Sequence, residues 1–296
     1  MLALGWGDVV AALRRFDPVP FALVALLSFA NYGLRFRRWD VFLRAAGATV
    51  PRRSSLAVYF AAYVMVITPG KVGEMFKAGL LQERHGVPVA RGLAVVVAER
   101  IFDFLAVLVL VGLGLAFWDG PWRGSGAAIG GGSIVLALVL AVRSSAVRRR
   151  LVARAAAAPP LRDHRLVLDD ALATLGRLFA SRPGGGELVA SVLAWFCECG
   201  GLWLICRVLA PDVSLGDAVF VYAAATLAGS ASFLPGGLGG TEAGIVVLLE
   251  LLGVPAATGA AVAFIVRLAT LWLAVGVGLA ALIVFRSEVL ASPPRS

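Results

Sequence analysis

Two Pro-Gly breaks interrupt apolar segments of this 296-residue chain at corresponding places, residues 68–74 (TPGKVGE) and 234–242 (LPGGLGGTE). Proline removes a backbone donor and glycine relaxes the backbone dihedrals, so a helix should stop at each break. In lipid such a break is tolerated only where it is buried in protein or lines a polar cavity. The pair therefore points to a binding site built from two similar halves. The residues expected to form the breaks are Pro69, Gly70, Gly73, Pro235, Gly236 and Gly239.

The composition places these breaks in a membrane. The chain is 60% hydrophobic and 15% charged, with a mean hydropathy of +0.89, which fits a polytopic helical membrane protein rather than a soluble domain. The net charge of +9 comes from basic residues between apolar segments, so it indicates orientation in the membrane and not a nucleic-acid partner. We expect no metal site, because His85 and His164 stand singly in basic loops.

The segments around the breaks are too short to cross a bilayer. Residues 55–68 span about 21 Å as a helix, against a hydrocarbon core of roughly 30 Å. The first span is expected to run from Val19 to about Leu34 and to end in a basic cytoplasmic loop at 35–39. The segment 77–91 after the first hairpin is also basic, which predicts a re-entrant hairpin from the cytoplasm. The loops 211–217 and 253–255 around the second contain no lysine or arginine, which predicts a hairpin from the outside.

These assignments predict an all-α polytopic membrane protein of inverted-topology repeats, each with a broken re-entrant helix hairpin. The whole chain, 1–296, is one transmembrane domain, with repeat one at 19–118, a connector at 119–186 and repeat two at 187–285. Further expected segments are a span at 126–142 and two amphipathic helices at the membrane surface, 1–18 and 166–179. The protein would lie in a bacterial cytoplasmic membrane with a cytoplasmic C-terminus.

Two arginines lie inside predicted spans at matching distances from the breaks. Arg100 follows Pro69 by 31 residues, and Arg267 follows Pro235 by 32. An arginine at the bilayer centre costs about 2.5–3.5 kcal/mol on insertion scales, so both should face the protein interior and find partners.

Carboxylates in the same segments are the expected partners of these arginines. Glu99 and Asp103 share a helix face, and Glu198 lies within its own span. The groups could form structural ion pairs only, or they could bind an anionic headgroup or relay a proton; Glu74 and Glu242 could also cap helices. The expected substrate-binding residues are Lys71, Glu74, Lys77, Arg100, Glu242 and Arg267. The expected ion- or proton-coupling residues are Glu99, Asp103 and Glu198.

An ordered set of motifs resembles one known family. The set comprises Arg35 with Arg38-Trp39, TPGKVGE, VVAERIFDF, Trp195 with Glu198, LPGGLGGTE and Arg267. Together they resemble the transmembrane domain of lysylphosphatidylglycerol synthases, which also occurs alone in flippase-like membrane proteins. The resemblance covers about residues 5–285. It implies movement of a lipid or lipid-linked headgroup between leaflets; in the synthases that lipid is an aminoacylated phosphatidylglycerol. A soluble aminoacyl-transfer domain is not recognised, so synthase activity is not implied.

The function expected from the sequence is therefore a flippase-like transporter of a lipid or lipid-linked anionic headgroup, with membrane lipids as partners. A secondary transporter of a small soluble anion is the first alternative. A non-transporting membrane subunit of an envelope lipid or glycan synthesis complex is the second. We expect no enzyme activity and no cofactor, because the sequence has neither a nucleophile–base arrangement nor a nucleotide-binding motif. An oligomer is compatible with the sequence.

Overall fold

The computed structural model describes residues 18–68, 73–121, 144, 150, 165–180 and 183–289, and its regular elements in these ranges are all helical. The predicted all-α class is thereby confirmed for this part of the chain. The helices are α1 (Pro18–Ala45), α2 (Arg52–Ala61), α3 (Phe76–His85), α4 (Val89–Ala116), α5 (Arg165–Ala180), α6 (Pro183–Leu209), α7 (Leu215–Ala231), α8 (Gly240–Glu250), α9 (Ala256–Arg267), α10 (Leu273–Val284) and α11 (Arg286–Val289). The predicted span at 126–142, residues 1–17 of the N-terminal segment and residues 69–72 of the first break lie outside the described residues.

Three of the described helical stretches are long and apolar enough to cross a membrane. They are Val19–Ala45, Gly186–Leu209 and Ala256–Val284; the last contains α9, a π turn at Leu268–Trp272, and α10. Helix α4, with 28 residues, is also about 42 Å long, but it carries three charged residues in its middle. The chain is therefore a multi-pass membrane protein.

Helix α1 corrects one sequence prediction. The first span was expected to end near Leu34, with a basic cytoplasmic loop at 35–39, but the helix continues without interruption to Ala45. The arginines stay in the helix because carboxylates neutralise them. Arg35 and Arg38 each approach Asp103 of α4 to 2.8 Å, and both side chains are largely buried. Arg35 and Arg38 of this basic cluster are thus part of the protein interior, while the Arg37 side chain is 59% exposed.

The first hairpin has a tightly wound first arm. Helix α2 passes into a 3₁₀ helix, Ala62–Ile67, that reaches Thr68 just before the break. On the far side, the Gly73 amide donates to the Thr68 hydroxyl oxygen over 2.9 Å. A Cβ atom at Gly73 would lie 2.7 Å from the Thr68 Cγ2 atom, so only glycine permits this approach. The two sides of the break are therefore held together directly.

The second hairpin is formed by α7 and α8 around a short 3₁₀ turn, Pro235–Gly237. Ser214 and Asp217 form a capping box that starts α7. The two arms lie close together, because a Cβ atom at Gly244 would come within 3.0 Å of Ala225. Between them the backbone is left-handed at four residues: Phe233, Gly236, Gly237 and Gly239. The break is thus a compact, sharply folded tip.

The first half, α1–α4, and the second half, α6–α10, pack crosswise. Helices α1 and α6, which precede the two hairpins, pack against each other along their lengths. Helix α4 of the first half packs on α7, while α10 of the second half packs on α2 and the 3₁₀ helix. Glycines permit both crossings: a Cβ atom would lie 2.5 Å from the Phe220 nitrogen at Gly114, and 2.5 Å from the Val64 nitrogen at Gly278. Each half therefore completes the other.

Helix α5 overlaps the predicted amphipathic segment 166–179, and its helical conformation confirms that part of the prediction. It packs on α4, where the Phe179 ring stacks on Phe102 with centroids 5.3 Å apart. The side chain of Leu178 is almost completely buried. One face of this helix therefore belongs to the protein core.

Two glycines of α10 test the crosswise packing. We expect Gly278→Ala to lower the free energy of unfolding by about 1–3 kcal/mol, because the new methyl group would overlap the Val64 backbone. Gly276→Ala is the matched control in the same helix, since a Cβ atom there has no neighbour within 4 Å. It should leave stability unchanged or raise it by up to about 1 kcal/mol. Thermal unfolding in detergent measures both; equal melting temperatures for the two variants would contradict this packing.

Candidate functional site

A cavity of about 400 Å³ lies between the two halves of the protein. Its walls come from α1, α4, α6 and α7, from the 3₁₀ helix of the first hairpin, and from α9, the π turn and α10. Residues next to both breaks, including Thr68 and Gly236, complete the lining. Its charged lining residues are Arg35, Glu74, Arg100, Asp103, Glu198 and Arg267. The cavity therefore combines buried charged groups with a lining that is mostly apolar.

Asp103 is the centre of the ion-pair network in the first half. It is contacted by Arg35 and Arg38 of α1, each at 2.8 Å, and by Arg100 of its own helix at 3.1 Å. The Arg35 guanidinium also lies over the Trp195 ring, 5.7 Å from its centroid. A buried carboxylate is tolerated when oppositely charged groups lie this close to it. Asp103 thus fixes α1, α4 and the cavity wall relative to one another.

Lys77 lies behind this wall and has only 2% of its side chain exposed. Its ammonium is 2.9 Å from Glu99 and 3.4 Å from Glu74, and it sits over the rings of Trp39 and Tyr59 at 4.8 and 4.9 Å. A buried charge is tolerated only when it is paired, and the two rings add cation–π attraction. Lys77 therefore supports the site from the interior and is not among the residues that line the cavity.

Arg100 and Arg267 occupy corresponding places in the two halves. Arg100 contacts Glu74 at 3.0 Å, and the Arg267 Nε atom donates to Glu242 over 2.7 Å. In each case the glutamate lies just after a break and the arginine lies in the following span. The Arg267 Nη2 atom also donates to the Gly236 carbonyl over 2.6 Å, which ties it to the tip of the second hairpin. Both arginines line the cavity, as their matched spacing predicts for a shared interior.

Glu198 of α6 is buried and lines the cavity. The Tyr222 hydroxyl of α7 donates to its Oε2 atom over 3.0 Å. This hydrogen bond joins α6 to α7 beside the cavity.

The predicted site residues fall into four groups. Glu74, Arg100, Asp103, Glu198, Arg267 and Gly236 line the cavity. Glu242 reaches it through Arg267, while Lys77 and Glu99 lie behind the wall. Gly73, Pro235 and Gly239 shape the breaks. Lys71, Pro69 and Gly70 lie outside the described residues. No side-chain cap is formed at the start of α3 or α8; Glu74 and Glu242 contact arginines instead.

Several cavity residues were not singled out as site residues from the sequence. On the sequence alone, Arg35 belongs to a basic loop, and Asn31 and Tyr32 lie in an apolar span without a predicted role. Their spacing carries the missing signal, because Asn31, Arg35 and Arg38 recur at the period of one helix face. Trp195 lies three residues before Glu198 on the same side of α6, whereas Tyr222 reaches the cavity only through tertiary packing. No local pattern could have revealed Tyr222.

Comparison with known proteins gives a consistent picture. The chain is 27% identical to a UPF0104 membrane protein of Methanothermobacter thermautotrophicus, over 98% of this chain and 92% of that protein. A further match to a UPF0104 membrane protein of that organism is 33% identical over 34% of this chain and 29% of that protein. The glycosyltransferase AglD of Haloferax volcanii is 25% identical over 36% of this chain and 17% of its own length. The family model described as lysylphosphatidylglycerol synthase TM region matches residues 1–278. The chain therefore belongs to the family of the lysylphosphatidylglycerol synthase transmembrane region.

Proposed function

We propose that this protein moves a lipid or lipid-linked anionic headgroup between membrane leaflets. One observation carries the proposal: a single cavity is lined by buried ion pairs and by apolar side chains that reach the outer surface. The exposed apolar members are Phe104, Phe233 and Leu234, with 52%, 75% and 47% of their surface exposed. A lining of both kinds suits a molecule with a charged head and apolar tails.

The charge distribution supports an anionic headgroup. The described ion-pair network of the first half, in the cavity wall and behind it, holds four cationic side chains and three carboxylates: Arg35, Arg38, Lys77 and Arg100 with Glu74, Glu99 and Asp103. This network therefore has one positive charge in excess, whereas the second half, with Arg267, Glu198 and Glu242, has one negative charge in excess. A phosphate would bind against the first wall, where arginine offers bidentate hydrogen bonds.

The apolar side of the cavity favours a lipid cargo over a soluble one. A transporter of a small soluble anion would need a cavity closed to lipid, and a non-transporting subunit would need no cavity. Phe104 on α4 and Phe233 at the second break both line the cavity, and both have more than half of their surface exposed. These residues favour the lipid over the two alternatives.

We propose further that the two halves are inverted repeats with re-entrant hairpins. The crosswise packing supports this, because equivalent helices make equivalent contacts. Helix α4 of the first half packs on α7 of the second, and α10 of the second half packs on the 3₁₀ helix of the first. The exposed basic residues Arg37, Arg44 and Arg53 lie on the side of the first hairpin, and the loops 211–217 and 253–255 contain no lysine or arginine. This difference supports opposite orientations, with a cytoplasmic C-terminus in a bacterial cytoplasmic membrane. Glu99, Asp103 and Glu198 are the proposed coupling residues, with Glu198 the one hydrogen-bonded by Tyr222. The protein would need no cofactor and could act as an oligomer.

Cysteine labelling tests the orientation. In a background with Cys197, Cys199 and Cys206 replaced by alanine, we introduce Glu83→Cys or Leu251→Cys, both at exposed positions. A membrane-impermeant thiol reagent should label only the Leu251→Cys variant in intact cells, because the second hairpin opens to the outside. Permeabilised cells, in which both variants should react, are the control. Labelling of both variants in intact cells would rule out inverted repeats.

Arginine-to-lysine substitutions test the transport mechanism. Arg267→Lys and Arg100→Lys keep the charge, but lysine cannot reproduce the two hydrogen bonds that Arg267 makes to Glu242 and Gly236. We expect translocation of an acyl-labelled anionic lipid in proteoliposomes to slow by about tenfold or more.

Arg44→Lys is the matched control, because Arg44 is exposed and pairs with Asp40 outside the cavity. It should translocate lipid at the wild-type rate, and thermal unfolding should show that all three variants fold. Wild-type rates for both cavity variants would make these arginines structural. Absence of lipid movement by the wild-type protein under a proton gradient would contradict the proposed function itself.

A further inference from the structure

Asn31 and Arg35 form a paired feature on one face of α1. They lie one helical turn apart and both line the cavity. Consecutive residues of α6 hold them in place: Asn31 Nδ2 donates to the Ala194 carbonyl over 2.8 Å, and Arg35 lies over the Trp195 ring. The two side chains are therefore fixed relative to each other before any ligand binds.

The hydrogen bond to Ala194 settles which way the Asn31 amide faces. A carbonyl only accepts hydrogen bonds, so the amide nitrogen must point to Ala194 and Oδ1 must lie on the other side. Asn31 has 1% of its surface exposed, and its Oδ1 atom is buried without a hydrogen-bond partner among the described residues. Buried acceptors nearly always receive a hydrogen bond. Asn31 thus presents an acceptor that calls for a donor.

The neighbouring arginines have hydrogen-bond donors without acceptors. The Nε atoms of Arg35 and Arg100 are buried donors that make no hydrogen bond in the described part of the chain. The cavity wall therefore combines unsatisfied donors at the arginines with an unsatisfied acceptor at Asn31. The Asn31 and Arg35 Cβ atoms are separated by about 5–6 Å, the usual spacing one turn apart on a helix.

We propose that Asn31 selects lipids whose headgroup carries a hydrogen-bond donor beyond the phosphate, while Arg35 binds the phosphate itself. The ligand class is a phosphodiester lipid with a hydroxyl or ammonium group on its headgroup. The inference rests on the proposed lipid transport and names its specificity-determining residue. Oδ1 is covered in this structure, so the headgroup reaches it by displacing the side chains that cover it.

The test compares lipids that share a phosphodiester group and differ in their donors. Phosphatidylglycerol and phosphatidylmethanol are both monoanions and form the charge-matched pair, whereas the ammonium group makes phosphatidylethanolamine a zwitterion. Proteoliposomes carry trace acyl-labelled phosphatidylglycerol, phosphatidylethanolamine or phosphatidylmethanol, and leaflet accessibility is followed with an impermeant quencher. Phosphatidylmethanol has no headgroup donor. The wild-type protein should move it about tenfold more slowly than at least one of the other two, the difference expected for one lost hydrogen bond. Whichever of those two is faster identifies the donor as hydroxyl or ammonium.

Variants assign this discrimination to Asn31. Asn31→Leu removes the acceptor at similar volume, so the donor-bearing and donor-free lipids should move at similar rates. Ser28→Ala is the matched control, because Ser28 is also a buried polar residue of α1, donating to the Ala269 carbonyl over 2.8 Å, but it is not among the cavity lining residues. It should keep the wild-type ratio of rates.

The outcomes separate this inference from the proposed function. If the wild-type protein moves none of the three lipids, lipid transport is wrong and the specificity falls with it. If it moves all three at equal rates, transport stands and the selection by Asn31 is wrong. The same holds if Asn31→Leu keeps the full wild-type discrimination. The wild-type comparison needs no substitution, so the inference remains testable even if Asn31→Leu fails to fold.

Discussion

The buried carboxylate of Asp103 is the interaction on which the site depends. Three arginines converge on it, two from α1 and one from α4, at 2.8–3.1 Å. An arginine in hydrocarbon without a partner costs several kcal/mol, and removing one member of a buried pair typically costs about 3–5 kcal/mol. Asp103 therefore keeps α1 helical through its basic segment and holds it against α4. The cavity wall is a consequence of that pairing.

The charged groups form two layers with different roles. Arg38, Lys77 and Glu99 are almost completely buried and have little access to any ligand. Arg35, Arg100 and Arg267 stand in front of them and line the cavity. Each of these three lining arginines has a carboxylate partner. An anion that enters the cavity would therefore compete with an existing ion pair and would not bind to an unpaired charge. This arrangement lets charge exist at membrane depth while the site is empty.

The sequence predicts the parts of this structure that are local. The breaks at Pro235 and Gly236, the helical class and the shared interior of Arg100 and Arg267 follow from backbone chemistry and from the cost of charge in lipid. The prediction for Arg35 is wrong because the positive-inside rule assigns an arginine cluster to a loop. The rule takes no account of a carboxylate such as Asp103, which is distant in sequence and pairs with Arg35 inside the protein. Tyr222 reaches the cavity through packing between helices, which no local pattern encodes.

The central claim is that the headgroup sits in the cavity while the acyl chains leave through the apolar side. Photo-crosslinking with phosphatidylglycerol that carries a diazirine on its acyl chain tests it directly, with labelled peptides identified by mass spectrometry. The account predicts labelling enriched at Phe104 and at Phe233–Leu234 relative to Ile283, which is 78% exposed but does not line the cavity. Equal labelling of Ile283 and the cavity residues would contradict it.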